Sequence, residues 1–243
     1  MRLLRTLLTL ILLFPATLMA QHDHGTHDHP HQHGHGHHDG TEPSGSHDHD
    51  ASGIHHDFSD VDLWLARFEG PDRDEFQKPS YVVELMQIQP GMTVADLGAG
   101  TGYFLPYLSK AVGSEGKVLG LDPEPNLVTF MQKRIADNGW TNCEARQIPF
   151  DSPELEPGSV DRILIVNTWH HIDNRGEYAA KLREALAPGG EVWIVDYTKE
   201  SPRGPSVEHR LTAEQVMEEL GAGGVNGEVR EVDLPWQYVV VGR

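Results

Sequence analysis

The sequence predicts a doubly wound α/β fold, a mostly parallel sheet with helices on both faces. Three observations carry this expectation. The strand-like runs Lys117–Asp122, Val160–Val166 and Glu191–Tyr197 are almost continuously apolar, as strands buried on both faces are. Amphipathic helical patterns separate them, and alternating strand and helix implies a parallel sheet. A glycine cluster, Gly98, Gly100 and Gly102, stands where the first strand should turn into the first crossover helix.

Taken in order, Val61–Phe68 and Ser80–Ile88 read as helices packing across the carboxyl edge of the sheet. Met92–Leu97 is a short apolar strand, and Gly102–Val112 is helical. Lys117–Asp122 is strand and Asn126–Asn138 is helix. Asn142–Gln147 holds a short strand, and Val160–Val166 is rich in Ile and Val. Arg175–Ala187 has helical spacing, and Ala187-Pro188-Gly189-Gly190 makes a turn before the strand Glu191–Tyr197. Thr212–Leu220 is helix, and Glu228–Asp233 with Gln237–Val241 read as a closing pair of strands. No internal repeat is visible.

The chain has 243 residues, with 37 acidic and 19 basic side chains, a net charge of −18 and one Cys. A single Cys forms no internal disulfide and no Cys cluster for zinc or iron–sulfur. So acidic a chain is poorly matched to nucleic acid or an anionic membrane surface. Only one apolar run approaches spanning length, which excludes a polytopic membrane protein.

The composition divides the chain into residues 1–20, 21–56 and 57–243. Residues 1–20 have Arg2 and Arg5, a Leu-rich stretch and small Ala20, the pattern of a secretory signal peptide cleaved after Ala20. Left uncleaved it would be an N-terminal anchor, the sole membrane association expected. Export to the periplasm or outside the cell follows if the signal is used. Translation from Met19 would leave the protein cytoplasmic.

Residues 21–56 hold thirteen of the sixteen histidines, six acids and no Lys or Arg. With almost nothing apolar to bury, the segment is expected to be disordered. Neutral imidazole is a common ligand for zinc, copper and nickel. The candidate metal ligands are His22, His24, His27, His29, His31, His33, His35, His37, His38, His47 and His49. Divalent metal ions are therefore expected partners of this tail, independent of any catalytic chemistry. Residues 57–243 carry 17 basic and 31 acidic side chains, a net −14, and suffice for one well-cored domain.

Within that domain the turn reads Val94-Ala95-Asp96-Leu97-Gly98-Ala99-Gly100-Thr101-Gly102-Tyr103. Glycines let the backbone turn tightly and approach a ligand, with the next helix pointing its first amides at it. The G-x-G-x-G spacing is not the G-x-G-x-x-G of dinucleotide binders. Asp96 would repel a pyrophosphate and suits an ammonium or hydroxyl group. Asp122, ending the next strand, can accept both hydroxyls of a ribose or cap the helix after Pro125. Glu124 is expected to point to solvent. Glu144-Ala145-Arg146 lies near where an adenine edge would sit, and the fourth strand delivers Asn167-Thr168-Trp169-His170-His171 to the same crevice.

Together, VADLGAGTGYF, VLGLDPEP, EARQIPFD, SVDRILIVNTWHHI and LREALAPGGEVWIVDY resemble the class I S-adenosylmethionine-dependent methyltransferases, over roughly Gln77 to Arg243. The layout is most similar to the small-molecule ubiquinone/menaquinone-biosynthesis type. The resemblance implies a seven-stranded sheet with its last strand antiparallel, S-adenosyl-L-methionine as cofactor and a small-molecule methyl acceptor. It implies that Asp96, Gly98, Ala99, Gly100 and Gly102 face the methionine part of the cofactor. Asp122 and Pro123 would then meet the ribose, Glu144, Ala145 and Arg146 the adenine, and Asn167 the same ligand. Glu144 departs from the Asp the family often has there.

Methyl transfer from a sulfonium needs alignment and exclusion of water, and a protic nucleophile also needs a base. His170 and His171 are the candidate catalytic residues. Tyr81, Trp169, Tyr197 and His209 are further pocket candidates, and Cys143 reads as a small buried residue. Two rivals to this expectation are a non-catalytic nucleoside-binding domain exported with its metal tail, and a nicotinamide-dependent oxidoreductase. The glycine spacing opposes the second.

Overall fold

A computed structural model describes residues 61–243. The leader and the His-rich tail expected from the sequence lie outside the described residues. Three short helices lead in, α1 (Val61–Phe68), α2 (Arg73–Gln77) and α3 (Pro79–Leu85). There follow β1 (Thr93–Leu97), α4 (Leu105–Val112), β2 (Lys117–Asp122), α5 (Pro125–Asn138), β3 (Cys143–Gln147) and β4 (Val160–Val166). The chain ends with α6 (Arg175–Ala185), β5 (Leu186–Tyr197), α7 (Ala213–Ala222), β6 (Gly227–Arg230) and β7 (Gln237–Gly242).

The strands form one seven-stranded sheet in the order β3-β2-β1-β4-β5-β7-β6. The pairs among β1 to β5 are parallel, and β7 runs antiparallel between β5 and β6. The reversal of strand order falls between β1 and β4, where an α/β sheet opens a crevice at its carboxyl edge.

Alternating residues of each strand feed two cores, because successive side chains point to opposite faces. Val94, Val118, Leu164, Trp193 and Val241 pack with α3, α4 and α5. Leu97, Leu121, Ile163, Ile194 and Val240 pack with α6 and α7. Leu97, Leu121, Ile163 and Leu164 are essentially solvent-free, and burying each side chain contributes about 1.5–3 kcal/mol. The helices present matching stripes: Leu105, Leu108 and Val112 on α4, and Tyr178, Ala179, Leu182 and Ala185 on α6. A capping box between Thr212 and Gln215 starts α7, satisfying amides that a helix end leaves open.

Four local expectations change. Helix α3 lies on the α4 face of the sheet, with Val82 and Val83 in that core, rather than across the carboxyl edge. Helix α4 begins at Leu105, three residues after Gly102, so the glycine turn itself, not the helix end, faces the crevice. The Ala187–Gly190 turn is a bulge within β5, where the register jumps from Val160↔Leu186 to Arg162↔Glu191. Helix α2 has no counterpart in the sequence reading, since five residues are too few to show a helical period.

Candidate functional site

The carboxyl ends of β1, β2, β4 and β5 open into a cavity of about 540 Å³. That is within the range of about 300–1,000 Å³ usual for small-molecule sites. One end is formed by Gly98–Thr101 and Asp122–Glu124. Ile148–Phe150 follow after β3, and Asn167, Thr168, His170 and His171 after β4. Tyr197 and Arg203–Pro205 complete the far end, while Trp64, Phe68, Arg73 and Phe76 cover it from α1 and α2.

The turn after β1 is shaped for close approach. Gly98 has φ +68°, and a Cβ there would come within 2.3 Å of the Thr168 side chain, so only glycine fits between β1 and β4. Gly102 does not line the cavity. A Cβ on it would strike Leu105 of α4 at 2.7 Å, and its role is to let helix pack on strand.

Asp122 is locked into this turn. Its Oδ2 accepts from the Gly100 amide at 2.8 Å and its Oδ1 from the Glu124 amide at 3.0 Å. The residue is 5% exposed, and burial pushes its pKa up to about 6 against the pull of those two amides. It does not cap α5, whose N-cap is Glu124. A carboxylate offers about four acceptor positions, so two remain once the amides are served. Glu124 departs from expectation: it is half-buried and lines the cavity.

Asp96 sits beneath the turn, off the cavity wall and 2% exposed, with Oδ2 lacking a hydrogen-bond partner. Burial raises its pKa to about 7, with Arg73 opposing and Asp122 adding to the rise. Arg73 donates to the Phe68 carbonyl and lies 3.8 Å above the Tyr103 ring. Desolvation lowers its pKa. Among the described residues it has no carboxylate within ion-pair distance, although it lines the cavity beside the glycine turn.

At the other end, His170 Nδ1 lies 3.0 and 2.9 Å from the two carboxylate oxygens of Asp196. Both side chains are almost solvent-free, at 3% and 4% exposure. Asp196 also accepts from the Tyr197 amide at 2.8 Å, and His171 is tilted against His170 with ring centroids 4.2 Å apart. Asn167 takes a left-handed backbone, φ +54°. Its amide bonds to Gln77, Tyr197 and Gln237, which fixes the tip of β4. The segment after β5 is held by Arg210, which donates to the carbonyls of Thr198, Lys199, Ser201 and Pro205.

Of the sequence-predicted residues, Gly98, Ala99, Gly100, Asp122, Pro123, Asn167, His170 and His171 meet on this cavity, with Tyr197. Glu144, Ala145 and Arg146 do not. They are paired with Leu119, Gly120 and Leu121 inside the sheet, and Glu144 is bound to Lys117 at 2.7 Å. Strand β3 runs on to Gln147, and the cavity residues that follow it are Ile148, Pro149 and Phe150. Trp169 is buried away from the cavity, its Nε1 donating to Glu219 at 2.8 Å. Tyr81 accepts from the Asp233 amide at 3.2 Å, and neither it nor His209 reaches the site. Cys143 is half-buried at the start of β3. Among the described residues no cluster of three His, Cys, Asp or Glu could hold a metal ion, and no helix is long and apolar enough to cross a membrane.

The chain matches the family described as "Methyltransferase domain" over residues 88–230, more than half its length. It is 25% identical over 125 residues to the ubiquinone/menaquinone biosynthesis C-methyltransferase of Idiomarina loihiensis, covering 49% of this chain and 48% of that protein. The chain thus spans about half the length of the curated relatives it matches. A solved S-adenosylmethionine-dependent methyltransferase from Aquifex aeolicus superposes with a TM-score of 0.70 at 28% identity. That match covers 74% of this chain and 96% of the other. A methyltransferase from Haloferax volcanii, solved with its activator, shares the fold at 20% identity and a TM-score of 0.62. It covers 75% of this chain and 96% of its own.

Proposed function

Because the chain belongs to the class I S-adenosylmethionine-dependent methyltransferase family, we propose that its cavity binds S-adenosylmethionine and transfers the methyl group to a small-molecule acceptor. The observation that carries this reading is Asp122. It is a buried carboxylate at a strand tip, tied to the Gly100 amide, with acceptor capacity left over for a ribose diol.

The other residues fit the same ligand. Gly98 and Gly100 leave the room that a Cβ would fill. Arg73 is a partly desolvated cation without a carboxylate partner among the described residues, and it would hold the carboxylate of the methionine part. Asp96 would complement its ammonium group from beneath, consistent with the open Oδ2. Ile148, Pro149 and Phe150 would supply the apolar wall for the adenine. When bound, the donor supplies a methyl group already activated on a sulfonium. The protein's share is then to align the acceptor and exclude water, which the cover of Trp64, Phe68 and Phe76 serves.

Calorimetric titration tests the reading. S-adenosylmethionine and S-adenosylhomocysteine should bind and NAD should not. Binding of NAD without binding of either sulfur nucleoside would reverse it.

The N-terminal segments carry a second proposal, supported by composition alone. Export by residues 1–20 would place the protein outside the cytoplasm, and the thirteen histidines of residues 21–56 would bind zinc, copper or nickel there. N-terminal sequencing of the native protein tests the export, since a start at Gln21 supports it and a start at Met19 contradicts it.

A further inference from the structure

Two walls of the cavity come from segments far apart in the chain, and an ion pair joins them. In the first wall, the stretch from Gly70 to Phe76, the residues Gly70, Asp72, Arg73 and Phe76 line the cavity. The second wall is the loop after β5, with Arg203, Gly204 and Pro205. Arg203 Nη2 donates to Asp72 Oδ2. Its guanidinium also lies over two rings, 5.1 Å from the centre of Phe76 and 5.5 Å from that of Trp236. A cation over aromatic faces adds an attraction of its own.

The loop is built as a fixed jaw. Besides the four carbonyls held by Arg210, Lys199 Nζ donates to the carbonyls of Val207 and Arg210. Ser201 Oγ accepts from the Arg203 amide at 3.1 Å and donates to the Arg203 carbonyl at 3.0 Å. Gly204, at φ +90°, lets the loop lie flat on Tyr197, where a Cβ would come within 2.3 Å of the ring. The facing stretch is tied down on the side of the glycine turn. There Glu69 accepts from Thr101 Oγ1 at 2.6 Å and from Arg134, and Asp74 accepts from Tyr103. At its end Gln77 and Gln237 exchange amide hydrogen bonds at 3.0 and 3.3 Å. The Glu69 and Arg134 side chains are 20% and 23% exposed, whereas Asp72 and Arg203 are 43% and 42% exposed. Water competes for both charges of an exposed pair, so the edge that gives way first is the one closed by Asp72 and Arg203.

Resting on the donor assignment above, we propose that the Asp72–Arg203 pair is a latch, which shuts the α1–α2 cover onto the loop after β5 and sets how fast the nucleoside ligand enters and leaves. Shut, it encloses the cavity and keeps water from the reacting groups. Open, it allows exchange, a step that limits turnover in many enzymes. Asp72 and Arg203 bond to each other and to none of the groups assigned to the ligand. The strength of the pair is therefore the same whether or not the cavity is filled. Weakening it should speed entry and exit by the same factor and leave Kd where it was. A side chain that binds the ligand directly would instead change exit and Kd together.

The test uses the full-length protein with S-adenosylhomocysteine as probe. Stopped-flow tryptophan fluorescence follows entry, Trp64 being in the cavity wall, and a chase of radiolabelled by unlabelled ligand follows exit. Asp72→Asn keeps the ring stack and removes the charge pair, and it should raise kon and koff alike by about 1.5- to 5-fold at low salt. Arg203→Gln removes the stack as well and should raise both by about 3- to 25-fold. In each variant Kd should stay within about twofold of the parent. The double variant should be no faster than Arg203→Gln alone, since the pair can be broken only once. Salt screens exposed charges, so raising it should speed exchange in the parent and do so less in Asp72→Asn. Rates unchanged in folded variants at low salt would overturn the latch and leave the donor site standing. So would a rise in koff and Kd without a rise in kon. Failure of the parent protein to bind S-adenosylhomocysteine would overturn both.

Discussion

Replacing Asp122 by Ala should cost cofactor affinity in proportion to what its carboxylate has left to give. Two of about four acceptor positions serve the amides of Gly100 and Glu124, so the other two are available to a ribose diol. A hydrogen bond to a charged acceptor is worth about 1.5–3 kcal/mol. The second bond of a diol shares the same charge, so the pair does not double that figure. The expected loss is therefore about 10- to 150-fold in Kd for S-adenosylhomocysteine. The same change removes the acceptor of two backbone amides, but these face an open cavity where water can replace it. The melting temperature of the ligand-free variant should then fall by several degrees at most, at about 2–4 °C per kcal/mol for a domain this size. Glu124 is unsuitable as the charge control because it lines the cavity; Glu115, exposed on the α4–β2 turn, serves instead, and Glu115→Ala should bind like the parent. Calorimetry with circular dichroism on both variants measures the difference. An Asp122→Ala variant that is folded and binds within twofold of the parent would refute the ribose assignment.

Gly98→Ala should abolish cofactor binding and lower the melting temperature, because its Cβ meets Thr168 at 2.3 Å in a backbone with φ +68°. Adding Thr168→Ala should recover only part of the loss, since the backbone strain of about 1–2 kcal/mol persists; full recovery would show that sterics alone set the turn. Burial raises Asp122 to about 6 and Asp96 to about 7, so the folded state keeps protons that the unfolded chain sheds near 4. The contribution of these groups to stability is thus fully present below about pH 4 and is lost as pH rises through 7. Binding favours the ionised carboxylates and runs the other way: affinity should rise between pH 5 and 7 with proton release, and a pH-independent Kd in calorimetry would contradict it. Deleting residues 22–56 should remove most zinc, copper or nickel binding and leave S-adenosylhomocysteine affinity unchanged; a weakened affinity would show that tail and domain are coupled.

What was legible in the sequence was local. The strand, the three glycines and Asp122 stand within about thirty residues and announce themselves by spacing. The parallel sheet followed from the alternation of apolar runs and helices, and its antiparallel last strand from the family resemblance. Helix α2 escaped because Arg73–Gln77 spans little more than one turn, and Arg73 went unnoticed with it. The cavity residues after β3 are Ile148, Pro149 and Phe150 rather than Glu144, Ala145 and Arg146, and Pro149 is the signal within EARQIPFD that the strand ends before it, since it cannot continue a ladder. Asp196 is not legible as the partner of His170, because it lies within β5 next to its last residue while His170 stands beyond the end of β4. With Val166 opposite Val195, the last residues of β5 lie beside the segment that leaves β4, which sequence separation alone conceals. Arg210 could not have been found, because its partners are the carbonyls of an irregular loop whose path no periodicity records.

The most direct test of the account is a crystal structure of the protein with S-adenosylhomocysteine. The ribose hydroxyls should lie within hydrogen-bond distance of the Asp122 carboxylate, with the amino-acid carboxylate on Arg73 and the adenine against Ile148–Phe150. A ligand whose ribose lies elsewhere, with Asp122 bound only to the Gly100 and Glu124 amides, would contradict it.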